Sequence, residues 1–355
     1  MPNLATGEPF AIANQLIQPG ERRQFELSGA QLVTHTPLST SIEVIHGHKP
    51  GPTLLVCAAI HGNEINGVEI IRRLRTKSAL TQLSGTLVLV PVVNMHGFIN
   101  QSRYLPDRRD LNRCFPGREL GSLGARTAKL FFDNIVRPCT HIIDLHTAAV
   151  HRNNLPQIRA NVAQPEIEML AQSFAIPVIV NAGLIDKSLR AEASKIGIPA
   201  ITYEAGEALR LCERAIVTGV RGILNFMTTL GMLEAKAERI GQADAFVASK
   251  TRWYRANTNG MFRPFVALGS RVTVDQPLGA ISSPFNSGEV AVNSGVEGIV
   301  IGMNNLPLVN AGDALFHIAS FAEVSAVKDS IATHEGVIQK DPLFALQQMP
   351  SVDLS

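Results

Sequence analysis

The residues best suited to chemistry in this sequence are a histidine and a glutamate in the motif His61-Gly62-Asn63-Glu64. The motif follows an apolar stretch that predicts a strand and opens a segment that predicts a helix, so both side chains can turn toward one cation. An imidazole nitrogen and a carboxylate oxygen are ligands that suit Zn²⁺. Alone the pair is a weak signal, because a surface histidine beside a glutamate at a helix N-terminus has the same spacing.

A second histidine ends another apolar stretch, in the motif Asp144-Leu145-His146. Alternation along a strand places Asp144 and His146 on one face, where His146 can be a third ligand. Asp144 can orient a nearby ligand or an arginine. Two histidines and one glutamate that leave a position open for water are typical of a catalytic zinc site. The alternative is a partly buried histidine at a strand end that binds no metal.

Several arginines lie between the two motifs, namely Arg103, Arg108, Arg109 and Arg113, the last of which follows Asn112. A guanidinium fork beside an amide matches a carboxylate, so Asn112 and Arg113 can bind an anionic group of a substrate. An arginine near zinc can also stabilise an oxyanion. The alternative is a solvated charged loop.

A fourth candidate is Glu204, at the carboxyl end of the apolar stretch AITYEAG. A carboxylate at that position can take a proton from water and return it to a departing amine. Taken alone, a glutamate at a strand end is usually an ordinary surface residue, so this assignment depends on the other motifs.

The composition is that of a globular protein and argues against several classes. The 355 residues are 45% hydrophobic and 17% charged, which allows a large core and about two domains. A formal net charge of +2 gives no general argument for nucleic acid or an anionic membrane as partner. We see neither a signal peptide nor an apolar stretch long enough to cross a membrane, and expect a cytoplasmic protein. The four cysteines form no C-x-x-C pair and are expected to be buried free thiols.

Between residues 51 and 235, short apolar stretches alternate with segments of helical period. This alternation predicts a largely parallel sheet with helices on both faces, and ligands of such sheets bind beyond the carboxyl ends of the strands. The predicted strands are 53–60, 86–94, 141–146, 157–162, 177–181 and 199–205. The predicted helical segments are 64–77, 124–136, 166–175, 189–197 and 211–230.

The pattern changes after residue 235. Residues 234–250 are polar and alanine-rich and predict a linker, whereas residues 249–320 predict an all-β domain of short strands separated by glycines. The glycine spacing resembles biotinyl and lipoyl carrier domains, but the corresponding tip, IGMNNLP at 301–307, has no lysine, so a carrier function is not expected. Residues 1–50 are predicted as added strands, and residues 321–355 as a tail without a clear pattern.

Together and in this order, the motifs HGNE, DLNRCFPG, DLHT and EAG resemble those of the succinylglutamate desuccinylase/aspartoacylase family, which is related to the zinc metallocarboxypeptidases. The resemblance covers roughly residues 45–235. It implies an α/β fold: a three-layer α/β/α zinc-carboxypeptidase-like domain with a mixed sheet. A smaller C-terminal all-β barrel-sandwich-like domain is expected to follow it.

The resemblance also assigns residues. It implies that one zinc ion per chain is held by His61, Glu64 and His146, and that Glu204 is the general base. The asparagine-arginine pair of the family falls on Asn112 and Arg113, which are expected to grip a substrate carboxylate.

Two assignments stay open at this point. The family arginine that polarises the scissile carbonyl best matches Arg103, but Arg108 competes for that position. The family also uses a tyrosine near the substrate, and the sequence does not show which of Tyr104, Tyr203 and Tyr254, if any, would serve.

These observations predict a zinc-dependent amidohydrolase that removes the acyl group of a small N-acyl amino acid or N-acyl amine. The expected partner is that small molecule, and neither nucleic acid nor a membrane is expected as a partner. Assembly into a homo-oligomer is left undecided by the sequence. One alternative is a zinc metallocarboxypeptidase that acts on peptides, although a C-terminal β-domain folded over the site would exclude long ones. The other is a non-catalytic relative that binds a ligand.

Overall fold

The computed structural model describes residues 7–31, 34–234, 244–285, 287–341 and 344. Its strands up to residue 207 are β1 (Phe10–Ile12), β2 (Gln15–Ile17), β3 (Arg22–Gln31), β4 (Pro37–His46), β5 (Lys49–Ala58), β6 (Ser84–Val90), β7 (His141–Ala148), β8 (Arg152–Ala160), β9 (Val178–Asn181) and β10 (Ala200–Glu207). The helices are α1 (Asn66–Leu74), α2 (Met95–Ile99), α3 (Leu123–Phe131), α4 (Pro165–Ser173), α5 (Leu189–Lys195), α6 (Glu213–Thr229) and α7 (Val324–Gln339). The later strands are β11 (Phe246–Ala248), β12 (Lys250–Arg255), β13 (Gly260–Pro264), β14 (Arg271–Val272), β15 (Pro277–Ser282), β16 (Glu289–Asn293), β17 (Gly298–Asn304), β18 (Leu308–Val309) and β19 (Ala314–Ser320).

One large mixed sheet organises the described residues. Strands β6, β5, β7 and β10 are adjacent and parallel, so their carboxyl ends meet at one edge of the sheet. Strand β8 runs antiparallel to β10, and β4 runs antiparallel to β6. The α/β fold with a mixed sheet is thus confirmed. The parallel part is the part that the alternation of strands and helices predicted, whereas β3 and β4 are joined by a short connection that allows only antiparallel pairing.

Two hydrophobic clusters lie on opposite faces of this sheet. Along β5, Leu54 and Val56 belong to one cluster, and Leu55 and Cys57 belong to the other, as strand alternation requires. Helices α1, α4 and α6 contribute to the first cluster, while α3, α5 and the hairpin β1–β2 contribute to the second. The strands of the sheet are therefore apolar on both sides, which explains the nearly continuous apolar stretches in the sequence.

The first helix packs unusually close to the sheet. A Cβ at Gly67 would lie 2.7 Å from Cβ of Ala58 and 2.8 Å from Cβ of Leu145, so only glycine fits at this crossing. The crossing fixes the first turn of α1 against β5, which the HGNE motif follows, and β7, which contains His146 near its end.

The C-terminal strands extend the large sheet and also form a smaller one. Strand β17 pairs with β8, β19 pairs with β17, and β12 pairs with β19. A separate four-stranded sheet has the order β16-β15-β13-β18. Residues 301–304 belong to β17, so the chain turns only at 305–307.

Two expectations for the C-terminal half differ from the structure. The linker prediction is wrong at residues 246–248, which form β11 parallel to β9, while residues 235–243 lie outside the described residues. Residues 324–339, predicted as a tail without pattern, form α7, whose Val327 and Ile331 are buried. All four cysteines are free thiols, two buried and two half-buried. Among the described helices, none is long and apolar enough to cross a membrane.

Candidate active site

The HGNE motif lies in the connection between β5 and α1, directly beyond the carboxyl end of β5. A Cβ at Gly62 would lie 1.9 Å from the carbonyl carbon of Gly97, so the motif backbone touches the backbone of α2. This contact, together with the close packing of α1, confines the loop that carries His61 and Glu64. Both side chains are buried, with exposed fractions of 4% and 2%.

The structure brings His61, Glu64 and His146 together. Nδ1 of His61 lies 2.7 Å from Oε1 of Glu64, and Nδ1 of His146 lies 2.8 Å from Oε2. The two Nδ1 atoms are 3.2 Å apart, and one ligand atom from each residue lies within 4.8 Å of the others. Two imidazole nitrogens and a carboxylate that point at one another in a buried place could hold a metal ion, and this donor set suits zinc.

The far nitrogen of each imidazole contacts a carboxylate. Nε2 of His146 lies 2.7 Å from Oδ2 of Asp144, and Nε2 of His61 lies 3.1 Å from Oδ1 of Asp110. A carboxylate in this position fixes the tautomer of a metal-binding histidine and leaves Nδ1 free for the cation. Asp144 was expected to orient a neighbour. Asp110, the first residue of the DLNRCFPG motif, was not predicted in this position, because its partner His61 is 49 residues away in the sequence.

The charges of this cluster stabilise one another. Burial alone would raise the pKa of Glu64, but the two histidines hold it well below its usual range. Burial alone would lower the pKa of His146, and the carboxylates of Asp144 and Glu64 instead raise it well above its usual value. Burial alone would also lower the pKa of His61, and the carboxylates of Glu64 and Asp110 instead raise it. The site thus favours positive charge at the place where Nδ1 of both histidines meets Glu64.

Arg103 reaches this cluster and Arg108 does not. One nitrogen of Arg103 lies 3.2 Å from Oε1 of Glu64, and another lies 2.8 Å from Oδ2 of Asp110. Arg108 is exposed, has a φ of 61°, and is not among the residues that line the cleft. These positions support Arg103 over Arg108 as the arginine that faces the reacting group.

Glu204 lies beside His146 on the neighbouring strand. The two residues are register partners in the parallel pair β7–β10, as are Asp144 and Thr202, so all four side chains share one face of the sheet. Oε2 of Glu204 accepts a hydrogen bond of 3.0 Å from Nδ2 of Asn154 on β8.

Asn112 and Arg113 line the same cleft as Glu204. The side-chain oxygen of Asn112 accepts a hydrogen bond of 2.9 Å from the backbone N–H of Leu189, at the start of α5. This bond turns the amide nitrogen of Asn112 away from α5. Arg113 is exposed, and one of its nitrogens donates to the carbonyl of Asn112 at 2.7 Å.

These groups line one cleft of about 250 Å³. Its lining residues are His61, Glu64, Arg103, Asn112, Arg113, Asp144, His146, Thr147, Arg159, Ala182, Gly183, Ile185, Ser188, Arg190, Thr202 and Glu204. Among the described residues, no tyrosine lines the cleft. Tyr203, for example, is buried on the other face, where its hydroxyl donates to the carbonyl of Ala215.

Sequence analysis missed Arg159 and Arg190. Arg159 interrupts an apolar strand, which was the one available signal, and its Nε lies 3.0 Å from Oε2 of Glu204. Arg190 donates to the carbonyls of Ala182 and Gly183 at 3.0 Å each, and nothing in its local sequence distinguishes it from a surface arginine.

Comparison with known proteins places the fold and the motifs in one family. The family profile described as "Succinylglutamate desuccinylase/Aspartoacylase catalytic domain" matches residues 50–230, about half of the chain and the part that carries His61, Glu64 and His146. The chain belongs to this family. The resemblance seen in the four motifs is thereby confirmed.

Relatives within the family are deacylases. The chain is 24% identical to N-alpha-acetyl-L-2,4-diaminobutyric acid deacetylase from Halomonas elongata over 285 residues, which are 77% of this chain and 83% of that protein. It is 31% identical to succinylglutamate desuccinylase from Pseudomonas aeruginosa over 155 residues, 41% of this chain and 46% of the relative.

Solved structures of the family share the fold. A succinylglutamate desuccinylase/aspartoacylase from Rhodobacter sphaeroides has a TM-score of 0.76 at 24% identity, covering 85% of this chain and 96% of its own. The product-bound ectoine utilization protein EutE (DoeB) from Ruegeria pomeroyi has a TM-score of 0.78 at 20% identity, covering 88% of this chain and 99% of its own. The likeness extends beyond residue 230, because it covers 85% and 88% of the chain and residues 1–230 are 230 of 355, about 65%.

Proposed function

We propose that this protein is a zinc-dependent deacylase that hydrolyses the amide bond of a small N-acyl amino acid or N-acyl amine. The observation that supports it most directly is the convergence of Nδ1 of His61, Nδ1 of His146 and the carboxylate of Glu64 in the wall of a cleft. Membership of a family whose relatives remove acetyl or succinyl groups supports the same reaction.

His61, Glu64 and His146 would hold the zinc ion. When bound, zinc supplies a Lewis acid that acidifies water in the cleft and polarises a carbonyl oxygen. Asp110 and Asp144 would keep the two imidazoles oriented by their contacts at Nε2.

In this proposal Glu204 transfers the proton. Its carboxylate takes a proton from the water whose oxygen attacks the amide carbon, and the same proton then goes to the amine nitrogen as the carbon–nitrogen bond breaks. Arg103 donates hydrogen bonds to the oxygen that becomes negative in the transition state. The products are a carboxylate and a free amine.

The charges of the cleft favour a substrate with a carboxylate. Four arginines line it against three carboxylates, and a zinc ion would add two positive charges. Asn112 and Arg113, which line the cleft, would bind that carboxylate through an amide N–H and a guanidinium fork. An N-acyl amino acid fits this cleft better than an N-acyl amine that has no anionic group.

We also infer a division of the chain into a hydrolase domain at 51–235 and a barrel-sandwich-like β-domain at 249–320, preceded by the strands of residues 1–50. The separate four-stranded sheet and its own cluster of buried residues, which includes Phe262, Leu278 and Phe316, support the second domain. A stable fragment after limited proteolysis near residue 240 would test the boundary.

A substrate screen tests the proposed function. The zinc-loaded protein is given N-acetyl and N-succinyl amino acids, N-acyl diamines and a short peptide, and released amine is measured. We expect hydrolysis of at least one N-acyl amino acid, little of the peptide, and none by the His146→Ala variant. Cleavage of the peptide in preference to every N-acyl amino acid would replace the proposal with a metallocarboxypeptidase.

A further inference from the structure

One oxygen of Glu204 is anchored by the neighbouring strand β8. Nδ2 of Asn154 donates to Oε2 at 3.0 Å, and Nε of Arg159 lies 3.0 Å from the same oxygen. Asn154 is only 7% exposed, so water competes poorly for its amide. Among the hydrogen bonds of the described residues, none reaches Oε1, which leaves that oxygen available for proton transfer.

The space for Asn154 is made by a glycine of the C-terminal strand β17. Gly302 is the register partner of Asn154 in the antiparallel pair β8–β17. A Cβ at Gly302 would lie 2.9 Å from Oδ1 of Asn154 and 3.1 Å from Cβ of His317. Any side chain at this position would therefore push the amide of Asn154 out of its place. The flexible end of the Asn154 side chain can rotate at little cost in stability, but the rotation would break its hydrogen bond to Glu204.

We propose that Asn154 is a positioning residue that holds Oε2 of Glu204 so that Oε1 faces the reacting atoms, and that Gly302 keeps the space Asn154 needs. This inference rests on the proposed function, in which Glu204 transfers the proton. It gives the C-terminal strands a part in the chemistry of a site that lies in the preceding domain. Proton transfer requires the carboxylate within hydrogen-bond reach of water and amine, so a rotated Glu204 slows the reaction without changing substrate binding.

A double-mutant cycle tests the proposal. Asn154→Ala is expected to lower kcat by about 10- to 100-fold, the scale seen when a residue that orients a reacting group is lost. KM is expected to change by less than about twofold and bound zinc to stay the same, since Asn154 is not among the described residues that line the cleft and its amide donates to Glu204. Asn154→Asp keeps the shape but replaces the donor by an acceptor, so its kcat should fall at least as far.

Gly302→Ala should lower kcat in the same direction, and adding it to Asn154→Ala should cause no further loss, because both changes act through one hydrogen bond. The matched control is Asn153→Ala, since Asn153 is the preceding residue of β8 and does not line the cleft. Its kcat should equal that of the wild type.

Three outcomes would overturn the proposal. An unchanged kcat in Asn154→Ala would show that Asn154 does not position Glu204. Fully additive losses of kcat in the double variant would show that Gly302 does not act through Asn154. A crystal structure of zinc-loaded Asn154→Ala in which Glu204 keeps its orientation would overturn it for any substrate. Failure of the proposed function is distinguishable, because the wild type would then be inactive on every N-acyl amino acid while Glu204 still rotates in the variant.

Discussion

At the scale of single residues, both histidines of the candidate metal centre use the same arrangement. Each presents Nδ1 to Glu64 and Nε2 to an aspartate, Asp110 for His61 and Asp144 for His146. Because the carboxylates fix both rings, the cation would enter a site whose ligands are already oriented. Little reorganisation would then oppose binding.

The first prediction separates binding from proton transfer. Glu204→Gln keeps the size of the side chain but cannot accept a proton, so we expect normal zinc content, a KM close to that of the wild type, and a kcat lower by about 10²- to 10⁴-fold. Glu207→Gln is the matched control, since Glu207 lies on the same strand but outside the cleft. Steady-state kinetics of both variants checks this, and near-normal kcat in Glu204→Gln would assign the base to another residue.

The second prediction distinguishes the proposed functions of Arg103 and Arg113. Arg103 contacts Glu64 and Asp110 beside the candidate metal centre, whereas Arg113 is an exposed residue of the cleft lining. Arg103→Ala should mainly lower kcat, by about a hundredfold, because an oxyanion contact exists only in the transition state. Arg113→Ala should mainly raise KM, and only for substrates with a carboxylate.

Arg108→Ala is the control for this pair. Arg108 is exposed and outside the cleft, so its variant should behave as the wild type on charged and uncharged substrates. A loss of kcat in Arg108→Ala, without one in Arg103→Ala, would show that the loop was interpreted wrongly.

The limits of sequence reasoning are visible at this scale. His61, Glu64 and His146 could be predicted because each lies in a short motif at the end of an apolar strand, where local spacing carries the signal. Asp110 and Arg159 could not, because their partners are 49 and 45 residues away in the sequence. The pairing of β8 with β10 brings Arg159 to Glu204, and the path of the segment after α2 brings Asp110 to His61, and no local pattern encodes either.

At the scale of elements, the candidate metal centre depends on how closely α1 packs against the sheet.

The predicted strands and helices of residues 51–235 all have observed counterparts, since their periodic patterns are long enough to be distinctive. Three elements lack a predicted counterpart: α2, a single short helix, β11, which lies in the predicted linker, and α7. The buried Val324, Val327, Ile331 and Ile338 of α7 recur at helical spacing, a signal that the prediction of a tail without pattern overlooked.

The third prediction concerns the close packing of α1 against the sheet. Gly67→Val would place methyl groups where a Cβ already meets Ala58 and Leu145 at 2.7 and 2.8 Å. We expect the free energy of unfolding to fall by about 1–3 kcal/mol and zinc affinity to weaken, because α1 must move away from β5 and β7. Calorimetry and zinc titration measure both effects.

Gly336→Ala is the matched control for Gly67→Val. A Cβ at Gly336, in the interior of α7, would meet nothing within 4 Å. The protein should therefore be as stable as the wild type or more stable by about 0.5–1 kcal/mol, with unchanged zinc affinity. Unaltered stability and zinc affinity in Gly67→Val would contradict the account of α1.

At the scale of the whole molecule, the site is shared between the parts of the chain. Of the candidate metal ligands, His61 and Glu64 come from the connection after β5 and His146 from the end of β7, and the cleft wall includes Asn112 and Arg190 at the start of α5. Strand β17 from the C-terminal half completes the sheet beside β8. Ion pairs from Arg214 to Glu335 and from Arg221 to Asp341 hold α7 against α6. The C-terminal half is thus packed on the domain that carries the site.

The most direct test of the central claim is a titration of metal-free protein with zinc, following the rate of hydrolysis of the best N-acyl amino acid. The account predicts no activity without metal and a rate that rises with bound zinc until one equivalent per chain, with no such rise in His61→Ala or His146→Ala. Full activity in metal-free protein, or saturation with zinc without any hydrolysis, would contradict it.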